Sequence, residues 1–153
     1  MGLHRYTLGV GQDRDARAAL AELVAASHDG RLDVICDQFG VLVMSAFGSA
    51  TRPSLAEPND LDVGVGFRRE PHQKYGTGDR LALWGALVDL TGYETIDVVV
   101  LDVDDPVLRA EALTGVALYE SERGAFAEAQ IAAVGERRDT AYMRRRNLEL
   151  MTK

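Results

Sequence analysis

Three aspartates and a Gly-Ser pair are the residues of this chain best placed to do chemistry. Asp60 and Asp62 stand two apart in DLDVGVGF, and Asp97 lies within TIDVVVL. On an extended strand, residues two apart leave the same face about 6.6 Å apart along the chain. Asp60 and Asp62 are therefore expected to be neighbouring carboxylates, which repel one another when ionised. A divalent cation between them reverses that repulsion. Mg²⁺ is the natural ion: it prefers oxygen and is commonly held by one or two carboxylates together with substrate phosphates. A third carboxylate completes a site for two ions ~4 Å apart. Asp97 is the candidate, because an acid beside Val98, Val99 and Val100 is costly to bury unless paired or bound to metal.

Upstream, Val41 to Phe47 (VLVMSAF) ends in Gly48-Ser49. Gly48 has no Cβ, so backbone there can approach a phosphate closely, and the amides after it can point at an anion. Ser49 adds a hydroxyl donor, and Arg52 brings a fork of N–H groups suited to phosphate. Each feature alone has an ordinary structural explanation. Gly-Ser after a strand is a turn, Asp-x-Asp is a pair of solvated acids, and Asp97 can sit at a strand end in water. Their joint order on the expected elements argues for a metal-assisted nucleotide site.

Those elements follow from periodicity. Asp13 to Ser27 carries apolar residues at helical spacing, with Asp13 and Asp15 near its positive end. Leu32 to Gln38 reads as a second short helix. Val41 to Phe47 and Asp60 to Phe67 read as strands, the latter with Leu61, Val63, Val65 and Phe67 on one face. A loop from Gly48 to Pro58 joins them, opening with one helical turn. Arg68 to Gly78 is a polar loop, read as a linker with a nucleotide cover as the alternative. A helix then starts at Thr77 or Asp79 and runs to about Thr91, with Leu81, Leu83, Trp84, Leu87, Val88 and Leu90 inward. Thr95 to Leu101 is a third strand, Pro106 to Leu113 a helix with proline in its first turn, and Val116 to Tyr119 a short strand. Glu122 to about Met151 is helical, with a bend expected at Gly135.

Composition sets the limits. With 153 residues, 46% of them hydrophobic and 27% charged, the chain is expected to form one soluble domain with a core of its own. Cys36 is the only cysteine, which excludes an internal disulfide, and it is assigned to the core. His4, His28 and His72 are scattered without ligand spacing, and Lys74 is not in a phosphate-loop context. No apolar run can span a bilayer and no secretory leader is visible, so the expectation is a cytoplasmic protein without a membrane anchor. Residues 1–134 hold eleven basic against 21 acidic residues, a net of −10, whereas residues 135–153 hold six against three, a net of +3. An acidic body disfavours direct nucleic-acid binding. The basic tail reads as a solvated helix face, with an acidic partner or RNA as alternatives. Arg109 is read either as a phosphate contact or as an ion pair with Asp105 at i−4.

Gly-Ser, ten residues from Ala50 to Asn59, then Asp-x-Asp resembles the nucleotidyltransferase superfamily of the DNA polymerase β type. In particular it is similar to the minimal nucleotidyltransferase (MNT) antitoxins. The resemblance takes in Asp97 in TIDVVVLD and DPVLRAEALTGVALYE (Asp105 to Glu120), and covers about Leu32 to Glu120. Thr51 and Pro53 stand where the family often has small residues and glycine, and Asn59 replaces the usual serine. The resemblance implies an α+β fold, a mixed sheet flanked by helices, within a single domain over 1–153. Its catalytic core would be about 32–120 and its C-terminal helix about 122–151. It implies ATP as substrate, with its triphosphate over Gly48-Ser49 and near Arg52. Two Mg²⁺ would be held by Asp60, Asp62 and Asp97, with Asp97 positioning or deprotonating the incoming hydroxyl. In that family the acceptor is a tyrosine of a cognate HEPN-domain toxin, a ribonuclease silenced by AMP addition. The alternatives are transfer to a small molecule such as an aminoglycoside, or a non-catalytic toxin-binding module. Acceptor identity, base preference and a homodimer stay open.

Overall fold

The computed structural model describes residues 15–53, 57–73, 76–101 and 105–152. Its elements are α1 (Ala16–Asp29), α2 (Arg31–Gln38), β1 (Val41–Phe47), a single 3₁₀ turn (Ser49–Thr51), β2 (Leu61–Phe67), α3 (Arg80–Thr91), β3 (Ile96–Val100), α4 (Pro106–Leu113), β4 (Val116–Glu120) and α5 (Ala125–Met151). Aspartates set three of the helix starts. Asp15 accepts from the Ala18 amide at 2.7 Å, Asp79 from Ala82 at 3.0 Å and Asp105 from Leu108 at 3.1 Å. Each satisfies a first-turn N–H that the helix itself leaves unpaired, a contact whose loss costs about 1 kcal/mol.

The strands form one mixed sheet in the order β3-β2-β1-β4. β1 runs antiparallel to β2 and to β4, while β2 and β3 are parallel and joined through α3. Helices cover both faces, so the strands read as nearly continuous apolar runs. On one face Leu23, Leu32, Leu83 and Leu87 meet Leu61, Val63, Val65, Phe67 and Val98. On the other, Ala110, Ala112, Leu113 and Ala133 meet Val43, Phe47 and Leu101. This makes the chain an α+β protein with a long C-terminal helix.

Several details differ from the sequence reading. Asp60 precedes β2 rather than opening it. Leu81 was expected to face inward but is 75% exposed. It lies two residues before the buried Leu83, about 200° round the helix. Helix α5 runs unbroken through Gly135. Arg109 pairs with Glu136 of α5, not with Asp105, and its Nε donates to the Leu101 carbonyl at 2.9 Å. Asp105 is occupied in capping α4. Cys36 is buried, and burial pushes its thiol pKa up. Arg137, Arg138, Arg144, Arg145 and Arg146 lie on the exposed half of α5. Among the described residues, no helix is long and apolar enough to cross a membrane. Asp13, Lys74 and Lys153 lie outside the described residues.

Candidate active site

The pairing of three strands brings the motif residues together. Phe47 pairs with Asp62 across the antiparallel β1–β2 ladder, and Asp62 pairs with Asp97 across the parallel β2–β3 ladder. Residues in register share a face of the sheet. Asp62 and Asp97 are thus lateral neighbours on the face that α4 covers. Asp60 lies just outside β2, where two bonds fix the chain's entry into the strand. The Leu61 amide donates to the Thr95 carbonyl at 3.0 Å, and the Tyr93 hydroxyl donates to the Asn59 carbonyl at 2.9 Å.

Gly48 stands against Asp62. Its φ of 78° and ψ of −157° occupy a region that is essentially glycine's alone. A Cβ on Gly48 would fall 2.3 Å from Asp62 Oδ2. The Thr51 hydroxyl and amide both donate to the Gly48 carbonyl, at 2.8 and 3.2 Å, and the Arg52 amide donates to the Ser49 carbonyl at 3.2 Å. Among the described residues, the Ser49 and Ala50 amides have no hydrogen-bond partner. They are the unpaired donors that the start of any helical turn presents.

Charge is concentrated at Asp62. Its carboxyl pKa is pushed up to about 6, first by burial and then by the negative charges of Asp60, Asp97 and Glu111. Two arginines flank the acids. Arg52 Nη2 lies 3.4 Å from Glu111 Oε1, and Arg80 Nη2 lies 3.7 Å from Asp97 Oδ1. All four side chains are about half exposed or more, so these pairs hold little energy and can be exchanged for a ligand's charges. Glu111 and Arg80 were not anticipated from the sequence. Glu111 is the only acid in PVLRAEAL, a signal that could have marked it. Replacing it with glutamine is expected to move the Asp62 midpoint down from about 6, read by carboxyl-carbon NMR titration in Mg²⁺-free buffer. An unmoved midpoint would show that Glu111 does not contribute.

Among the described residues, no three acidic, histidine or cysteine side chains are grouped tightly enough to chelate one ion by themselves. The donor set still suits a hard cation. Every donor is a carboxylate oxygen, and the like-charge crowding around Asp62 is a penalty that bound positive charge relieves. Mg²⁺ typically takes only one or two protein carboxylates and completes its shell with water and substrate phosphates.

No family model matches the chain, and no curated protein matches it. Its fold does match solved structures. A chain of a toxin–antitoxin complex with AMP-PNP superposes with a TM-score of 0.58 at 13% identity, covering 81% of this chain and 98% of that one. A chain of the MntA–HepT toxin–antitoxin complex gives 0.55 at 12%, covering 81% and 96%. A chain of the tri-AMPylated Shewanella oneidensis HEPN toxin in complex with MNT antitoxin gives 0.56 at 14%, covering 84% and 98%. At these identities the likeness is one of fold, and the fold is that of the MNT antitoxin structures.

Proposed function

We propose that this protein is a Mg²⁺-dependent nucleotidyltransferase that moves AMP from ATP onto a tyrosine hydroxyl of a cognate HEPN toxin and thereby neutralises it. The observation that carries this reading is the lateral pairing of Asp62 with Asp97 beside the bare backbone of Gly48, with Asp60 one residue outside the strand. The shared fold supports it, since two of the matched complexes are named for AMP-PNP and for an AMPylated HEPN toxin. A further matched complex carries two aspartates, two positions apart, replaced by glutamate, the spacing of Asp60 and Asp62.

In this reading Asp60, Asp62 and Asp97 hold the metal, which supplies positive charge to the phosphates and to the departing pyrophosphate. The Ser49 and Ala50 amides and the Ser49 hydroxyl bind phosphate oxygens, and Arg52 leaves Glu111 to meet the triphosphate. Asp97 orients the acceptor hydroxyl and takes its proton. The hydroxyl oxygen then bonds to the α-phosphorus as the bond to the bridging oxygen breaks, and pyrophosphate leaves with that electron pair. Most of the rate comes from positioning and from neutralising charge.

The test is mass spectrometry of a HEPN protein encoded beside this chain's gene, after incubation with Mg-ATP and the full-length protein. An AMP adduct on tyrosine is expected with wild type and is expected to vanish with Asp60→Ala. No adduct with wild type, or an undiminished one with Asp60→Ala, rejects the reading. Toxin neutralisation that survives loss of all three aspartates would make the protein a binding module instead.

A further inference from the structure

Helix α5 carries its second half away from the body of the protein. Gln130 Nε2 donates to the Leu113 carbonyl at 3.1 Å and Glu136 pairs with Arg109, so α5 runs antiparallel to α4. The two ends of α4 lie at opposite ends of the sheet. Gly115, just past its C-terminus, packs on Ala46 and Phe47, and Phe47 is the register partner of Asp62. Arg109 instead bonds the Leu101 carbonyl, past the far end of β3. As it lengthens, α5 therefore leaves Asp62 and Asp97 behind. Tyr142 lies six residues beyond Glu136, about 9 Å further along the axis. From Glu136 to Thr152 every residue except Thr140 is exposed.

Tyr142 is 62% exposed on this projecting segment. The other described tyrosines have committed hydroxyls. Tyr93 donates to the Asn59 carbonyl, and the buried Tyr119 donates to Asp37 at 2.7 Å. Among the described residues, the Tyr142 hydroxyl has no hydrogen-bond partner. One helical turn to either side stand Arg138, Arg145 and Arg146, with Asp139 the single acid at that spacing.

We propose that Tyr142 is a further acceptor of the transfer reaction, receiving AMP from the active site of a second copy of this chain. The inference rests on the nucleotidyltransferase reading and extends it from the toxin to the enzyme itself. The direction of α5 keeps Tyr142 from its own site, so the donor site belongs to another molecule. Charge brings the two together. Asp97 and Glu111 are about half exposed beside Asp62, where negative charge is already crowded. A hydroxyl ringed by three guanidinium groups is drawn to those carboxylates and to the triphosphate. Asp97 takes the phenolic proton, the Tyr142 oxygen bonds to the α-phosphorus, and pyrophosphate leaves with the electron pair of the broken bond. The product is a phosphodiester, which lowers the net charge of residues 135–153 from +3 to +2.

The test mixes two full-length variants with Mg-ATP. Asp60→Ala keeps Tyr142 but loses a carboxylate of the site, and Tyr142→Phe keeps the site but loses the acceptor. Peptide-mapping mass spectrometry is expected to find AMP on Tyr142 of the Asp60→Ala chain in the mixture, and on neither variant alone. Arg138→Gln, Arg145→Gln and Arg146→Gln, combined in the Asp60→Ala chain, are expected to slow this modification about tenfold, the low end of what charge steering supplies. The same modification sites are mapped on a HEPN protein in parallel. AMP on a different residue, Tyr6 and Tyr75 included, an unslowed arginine variant, or a bare Tyr142 beside a modified HEPN protein overturns the inference and leaves the transferase reading standing. AMP on neither protein overturns both.

Discussion

Asp62→Asn is expected to lower kcat/KM for AMP transfer about a thousandfold, the scale on which single groups stabilising transition-state charge act. The same change is expected to make the Mg²⁺-free protein more stable at pH 8. The two effects have one origin. Asp62 is the acid on which burial and the charges of Asp60, Asp97 and Glu111 converge, raising its pKa from 3.8 to about 6. A carboxyl whose folded pKa lies above its unfolded value binds its proton more tightly in the native state. Its contribution to stability is present below about pH 4 and is lost as pH rises through about 6. Asparagine has no charge to lose. The variant should therefore match wild type near pH 4 and exceed it above pH 6, by on the order of 1 kcal/mol once solvent screening of a partly exposed group is allowed for. Calorimetry at pH 4, 6 and 8 with a chelator reads this. Adding Mg²⁺ should then raise the melting temperature of wild type more than that of the variant. A variant less stable than wild type at pH 8 would show that Asp62 is not repelled by its neighbours. Undiminished transfer would remove it from the chemistry.

What the sequence made legible is local. Asp15 and Asp79 at their helix starts, the proline that opens α4 and the alternation of LDVGVGF all act within a few residues of themselves, so their effects are encoded where they stand. The order Gly-Ser, ten residues, Asp-x-Asp is legible because one antiparallel hairpin carries it. That Asp97 falls level with Asp62 is a different kind of fact. It depends on β3 crossing over through α3 to pair parallel with β2 in one register, and a slip of one residue would send Asp97 to the opposite face. Glu111 and Arg80 were missed for the same reason. Their parts in the site depend on how α4 and α3 lie against the ends of strands distant in sequence. Arg109 shows the limit from the other side. Its i−4 partner Asp105 is within reach on the helix, but that carboxylate is committed to the cap, and Glu136 of α5 takes its place. The exposed flank of Leu81 went unread because helical periodicity reports which positions can face inward, whereas the sheet beneath decides which of them do.

Gly48→Ala is the substitution that separates the shape of the cradle from its charge, since it alters no ionisable group. At φ 78° and ψ −157°, alanine sits in a region that only glycine populates freely, at a cost of about 1–3 kcal/mol. Its methyl would also stand 2.3 Å from Asp62 Oδ2, so either the carboxylate or the turn must move. Displacing a reacting geometry by about 1 Å costs about a hundredfold in rate. The expected result is a folded protein with a lower melting temperature and AMP transfer reduced about a hundredfold. Gly85→Ala and Gly135→Ala supply the contrast. Both glycines lie within helices, at ordinary φ, with nothing within 4 Å of a new Cβ. Each replacement should stabilise by about 0.5–1 kcal/mol and leave transfer intact. Thermal melts with rates of pyrophosphate release on the three variants read both effects at once. If Gly48→Ala behaved like the two helical controls, the close approach of backbone to Asp62 would have no part in catalysis, and the phosphate cradle would have to lie elsewhere.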